Sequence, residues 1–146
     1  MPRMAKPDSL DVADRLHSAA IRLLRAVRVA DEETGISAPR LSALSVLVFG
    51  GPMSLSALAR AEQVTAPTMS MLAADLEAEG LVAKRADKAD RRGVRIEVTP
   101  KGRALTEEGR RRRLDLLRRR VAKLSAAERA TLDRAAALML RLASGA

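Results

Sequence analysis

The chain has no cysteine, tryptophan or tyrosine, one phenylalanine (Phe49) and one histidine (His17) among its 146 residues. The lack of cysteine excludes disulfides, thiolate metal sites, cysteine nucleophiles and thiol-based redox sensing. With one histidine and no tyrosine, acid–base equipment is scarce. No metal-ligand cluster, activated nucleophile or phosphate loop is written in the sequence, so a non-enzyme without metal or cofactor is expected. The near absence of aromatics leaves Leu, Val, Ala and Met to build the interior. Such side chains bury little area each, which favours closely packed helices and makes burial across a subunit interface useful. No apolar run is long enough to span a bilayer, and residues 1–8 lack the apolar segment of a signal peptide. No membrane partner and a cytoplasmic location are therefore expected.

What is abundant is positive charge, and it is concentrated. The formal net charge is +9, from 27 Lys/Arg against 18 Asp/Glu. Residues 1–80 carry 8 basic and 10 acidic side chains, and residues 121–146 carry 4 and 2. Residues 81–120 carry 15 and 6, so one forty-residue region accounts for the whole excess. A localised positive field is what a phosphate backbone selects, although a solvated surface has the same composition.

Hydrophobic periodicity divides the rest. After a loose tail (1–8), a helix is expected from about Ser9 to Asp31, with Leu10, Ala13, Leu16, Ala20, Leu23 and Val27 on one face. Ser37 and Pro39 open a second helix, which Gly50-Gly51-Pro52 ends near Phe49. Ser54 caps a short helix to Ala61, and Thr65 with Pro67 opens another that Gly80 stops. Two such helices joined by a tight turn read as a helix-turn-helix. Leu81–Arg85 and Val94–Val98 then read as strands around a polar loop, which makes a wing. Thr99-Pro100 starts a long basic helix to about Leu124, in which Leu114, Leu117, Val121 and Leu124 form a 3-4-3 seam. Ser125 and Glu128 form a capping box for a last helix with Leu132, Ala136, Met139 and Ala143 on one face. The expected fold is mainly α with a small β-hairpin. Its parts are a dimerisation helix (9–35), a winged helix-turn-helix (36–99) and dimerisation helices (100–146). The end helices carry more apolar face than one winged unit can cover, so a homodimer is expected, with Leu16, Leu23, Leu114, Leu117, Val121, Leu132 and Met139 at its interface.

Two stretches carry a family likeness. One is Asp87-Lys88-Ala89-Asp90-Arg91-Arg92, followed by Val94 to Thr99 and Pro100-Lys101-Gly102. The other is Leu76-Glu77-Ala78-Glu79-Gly80-Leu81-Val82 leading into the wing. Together, in order and with helices on both sides, they make the chain resemble the MarR family of regulators over nearly its full length. The resemblance implies a triangular homodimer on double-stranded DNA, with recognition helices in successive major grooves and wing tips in the flanking minor grooves. It also implies that a small, often aromatic, anionic effector binding between the two lobes releases the DNA. A sequence-specific regulator, a repressor on an inverted-repeat operator, is the function so implied.

On that reading Thr65 to Glu79 is the recognition helix. Thr65, Thr68 and Ser70 offer hydroxyls to base edges or phosphates, while Ala66 and Pro67 offer small apolar contacts. For Thr65, a role as cap alone is the competing account. The family commonly has an arginine where Met71 stands. This helix has no Lys or Arg and carries Asp75, Glu77 and Glu79, so bidentate guanine reading from it is excluded. The cations must come from the wing. Arg92 is the candidate for insertion into the minor groove, held by Asp90, with Lys84, Arg85, Lys88 and Arg91 serving phosphates. The runs Arg110–Arg113 and Arg118–Arg120 do not lie on one face; solvation, DNA flanks or acidic residues of a partner chain are the open alternatives. His17 is a candidate for the ligand pocket, against the commoner structural or surface role of a lone histidine.

Two other readings share these features. A nucleoid-type architectural protein would use the same basic region without choosing sequence, and the uncharged recognition helix supports it. An arginine-rich module for anionic surfaces or proteins would bind no duplex at all.

Overall fold

The computed structural model describes residues 6–90 and 93–145. In chain order the elements are α1 (Ser9–Glu32), α2 (Ala38–Gly50), β1 (Met53–Ser54), α3 (Leu55–Ala61), α4 (Ala66–Ala78), β2 (Val82–Ala86), β3 (Val94–Val98), α5 (Pro100–Val121) and α6 (Ala126–Ala143). Their starts follow local chemistry. Ser54, Thr65, Thr99 and Ser125 each accept the backbone N–H three residues on, and Glu128 reaches back to the N–H of Ser125 at 2.8 Å. Ser37 precedes α2 without a side-chain cap bond. Pro39, inside the first turn, removes one of the donors that such a cap ordinarily takes.

The ends are equally local. Beyond α4, the N–H of Leu81 bonds the carbonyl of Leu76 and that of Gly80 bonds Glu77, with Gly80 at φ +72°. This is a Schellman stop, and glycine adopts its left-handed backbone without steric cost. The end of α3 repeats the pattern, Val64 N–H to Ala59 and Gln63 N–H to Arg60, but there the left-handed residue is Gln63, at φ 56°. The long basic helix ends at Val121, short of Leu124, because turns at residues 122–124 precede the capping box.

The wing belongs to a three-stranded antiparallel sheet, order β1-β3-β2, rather than to a two-stranded hairpin alone. Met53 pairs with Ile96 and Ser54 with Arg95, while β2 pairs with β3 from Val82–Val98 to Ala86–Val94. A strand of two residues has no alternation to read, so only its partner reveals it. Ile96, on the central strand, is buried against helices.

The core lies in the winged unit. Leu44, Leu47, Leu58, Met69, Leu76 and Ile96 are fully enclosed, with Ala73, Leu81 and Val82 closing the gaps. At about 1.5–3 kcal/mol for each large side chain, this cluster is the principal source of stability within one chain. Outside it, α1 lies on α5 through Val27 and an Arg113–Asp31 ion pair at 2.5 Å. Arg112 pairs with Glu108 (2.7 Å) and Glu33 (3.4 Å), and Arg118 with Asp115 (3.4 Å). Part of each arginine run is thus engaged within the chain. No residue of α6 is buried, and Leu140 is 74% exposed. Among the described residues, no helix is long and apolar enough to cross a membrane.

Candidate nucleic-acid interface

One side of α4 is spent on the core: Met69, Ala73 and Leu76 are buried and Leu72 is half-buried. The period of the helix therefore turns Ala66, Pro67, Thr68, Ser70 and Met71 outward, and all five are exposed. Thr65 caps the helix, accepting from the Thr68 N–H at 3.3 Å and donating its hydroxyl to that of Thr68 at 2.9 Å. This exposed face has small hydroxyls and apolar groups at its N-terminal end. At the other end stand the exposed carboxylates of Asp75, Glu77 and Glu79. A phosphate backbone would be drawn to the first end and repelled by the second.

The strand pairing puts Lys84 opposite Ile96, on the same face of the sheet, and so beside α4. Lys84, Ser70, Leu55, Val94 and Ile96 line a cleft of about 170 Å³ between α4 and the β2–β3 hairpin. Lys84 and Lys88 are exposed and form no ion pair among the described residues. Arg85 differs, since its Nε pairs with Glu97 at 2.7 Å.

Arg95 and Asp87 organise the base of the wing loop. The Asp87 carboxylate accepts the Ala89 N–H at 3.0 Å and meets the Arg95 Nε at 3.3 Å; Arg95 Nη1 also donates to the Pro52 carbonyl at 3.2 Å. The Ala89 amide, aided by Arg95, holds the Asp87 carboxyl below its ordinary value of 3.8. Backbone bonds from Asp87 to Gly93 and from Gly93 to Asp90 close the loop. Arg91 and Arg92 lie outside the described residues; Asp90 stands beside them, exposed. Periodicity did not single out Arg95, which reads simply as the solvated face of a strand.

The expected interface residues fall on the outer helices. Leu23, Leu114, Leu132 and Met139 are exposed, while Leu16, Leu117 and Val121 are half-covered by their own chain. His17 is exposed and lines none of the clefts described here. A different group does line one. Between α2 and α5, Arg103, Arg110 and Arg113 line a cleft of about 350 Å³ with the acidic Glu107 and with Val48 and Phe49, the last 78% exposed. No cluster of His, Cys, Asp or Glu suited to a metal ion occurs among the described residues.

The family model described as the MarR family matches residues 34–93. The HTH-type transcriptional regulator Mb0904 of Mycobacterium bovis is 37% identical over 131 residues, covering 90% of this chain and 92% of its own. A MarR family protein from Bacillus stearothermophilus superposes with a TM-score of 0.81 at 23% identity, over 95% of this chain and 99% of that one. BpsR of Bordetella bronchiseptica, whose DNA binding is regulated by 6-hydroxynicotinic acid, superposes with a TM-score of 0.64 at 27% identity, over 97% and 99%.

Proposed function

Because the chain belongs to the MarR family of DNA-binding transcriptional regulators, and so is not an enzyme, we propose that it acts as a homodimeric repressor on an inverted-repeat operator. The observation that carries this is the juxtaposition, on one side of the winged unit, of a neutral helix face (Ala66 to Met71) and a cationic wing rooted at Lys84. On this reading the helix face enters the major groove and takes up thymine methyls and phosphates, not guanine edges. The wing follows into the minor groove, where Arg92 meets the stronger negative potential while Lys84, Lys88 and Arg91 neutralise phosphates.

Dimerisation uses α1, α5 and α6, with residues 9–35 and 100–146 forming one lobe and 36–99 the other. The exposed leucines of α6 and the absence of any buried residue on it support a second copy as their cover. A small anion is the proposed effector. Arg103, Arg110 and Phe49 at the α2–α5 cleft support it (Arg113 is paired with Asp31), as does the 6-hydroxynicotinic acid response of BpsR.

Non-specific architectural binding is the second reading, favoured by the absence of Lys and Arg from α4. Titration of duplex from upstream of the coding sequence against random duplex separates the two. A specific regulator prefers the former by about 10³ or more at physiological salt. Within that assay, Arg92→Ala is expected to weaken specific binding about tenfold or more without changing the melting temperature, by loss of one charge-assisted contact. Unchanged affinity would remove Arg92 from the interface.

A further inference from the structure

We propose that Lys101 is a positioning residue for the recognition helix: it fastens the C-terminal end of α4 to α5, and so sets the angle at which α4 meets DNA. The inference rests on the DNA-binding reading above.

A helix leaves its last carbonyls without partners, and their negative pole attracts a cation. Just past α4, three successive carbonyls, that of its C-cap Glu79 and those of Gly80 and Leu81, are taken by Thr99 and Lys101 at the opening of α5, the Leu81 bond extending the β2–β3 ladder. Lys101 Nζ donates to the Glu79 carbonyl at 2.8 Å, the Thr99 hydroxyl donates to Gly80 at 2.6 Å, and the Thr99 N–H donates to Leu81 at 3.0 Å. The same Thr99 oxygen accepts the Gly102 N–H at 3.1 Å, so one atom serves the end of one helix and the start of the other. Gly102 lets the backbones touch, for a Cβ there would lie 2.1 Å from the Leu81 carbonyl oxygen. Arg40, from the first turn of α2, holds the Glu79 carboxylate from the far side.

Thr99 and Gly102 fix where the two helices meet, but they are a cap and a contact near a single point. Lys101 is the longest lever in the joint and the only charged one from α5. Glu79 and Glu108 line the same cleft, yet its ammonium is directed at a main-chain carbonyl. That choice constrains the helix axis in a way that a pairing with a flexible carboxylate would not. Lys101 stands at the C-terminal end of α4, at Glu79, away from the neutral N-terminal face that would meet DNA. Its charge is therefore placed to orient and not to bind phosphate. A displacement along the 22-residue α5 then reaches the recognition helix without a slack hinge.

The test uses the full-length protein, a labelled duplex from upstream of its coding sequence and a random duplex of equal length. Lys101→Met keeps the aliphatic stem and removes the donor; Lys101→Arg retains one. The expected result for Lys101→Met is about tenfold weaker binding to the upstream duplex, the factor that follows if the unfastened helix holds its productive angle about a tenth of the time. Binding to random duplex and the slope of log K against log salt stay unchanged, and Lys101→Arg recovers most of the loss. Equal affinity of Lys101→Met and wild type overturns the proposal. So does a shallower salt slope, which marks a direct phosphate contact, or a loss that merely tracks the folded fraction at the assay temperature. Failure of the wild type to prefer its upstream duplex would instead remove the underlying DNA-binding reading.

Discussion

The winged unit and the end helices are built from the same few aliphatic residues, but they use them in opposite ways. Of the thirteen buried hydrophobic residues among the described ones, all except Val27 fall between Leu41 and Ile96. In α6, by contrast, Leu132, Leu138, Met139, Leu140 and Leu142 are all exposed. One region closes on itself because helices α2 to α4 and the sheet offer surfaces on several sides. The other is a set of long helices with too little of the chain to surround them. A helix of one chain can satisfy its backbone alone and still leave an apolar face that needs a second molecule. Composition sharpens the contrast. With a single aromatic, and that one exposed, the interior rests on leucines and smaller side chains, so the winged unit fills its own interior and has none left to shield α1 and α6.

The largest expected effect lies inside the closed unit. Leu76→Ala opens a cavity among Leu44, Leu58 and Met69 and should cost about 2–5 kcal/mol, read as a lower midpoint in urea unfolding. A loss below about 1 kcal/mol would mean that this interior can collapse around the gap, and that the contrast in packing is overstated. Next comes the open region. Leu117→Asp places a charge on the α5 seam and should halve the sedimenting mass while leaving the helical circular dichroism largely intact. Retention of the wild-type mass would assign the interface to other faces of α1 and α6.

The smallest effect compares two turns within the closed unit. Gly80 and Gln63 occupy the same place in the same stop motif, so Gly80 is the internal control for Gln63. Relief of about 1–2 kcal/mol of left-handed strain outweighs about 0.4–1 kcal/mol of added unfolded-state entropy. Gln63→Gly should therefore raise stability by roughly 0.5 kcal/mol or somewhat more. A fall in melting temperature would show that the Gln63 side chain makes up for its own backbone strain.

Much of this organisation was legible beforehand. Thr65-Ala66-Pro67, Thr99-Pro100 and Ser125 to Glu128 announce helix starts because a cap acts within three residues. The outward set Ala66, Pro67, Thr68, Ser70 and Met71 follows from the buried Met69, Ala73 and Leu76 by the helical period alone. Other features were not legible. Arg85 reads as a phosphate ligand but pairs with Glu97 across the hairpin. Arg112 and Arg113 look like members of a basic run, yet they reach Glu33 and Asp31, some eighty positions earlier. Arg95 depends on Pro52 and Asp87, and Lys101 on Glu79. In each case the partner is chosen by packing, and a basic side chain carries no local mark of which carboxylate or carbonyl it will meet.

Sequence by itself determined the order of the helices and of the two hairpin strands, most of their caps and stops, the neutral character of α4's outward face and the location of the positive charge. Those properties depend on interactions within a turn or two of chain, or simply on composition. Tertiary structure alone decided that Met53 and Ser54 become a third strand, that Arg112 and Arg113 brace α5 against the end of α1, and that the end of α4 is bolted to the start of α5. Those outcomes join residues about twenty to eighty positions apart, and only the folded backbone brings such distant groups within bonding range.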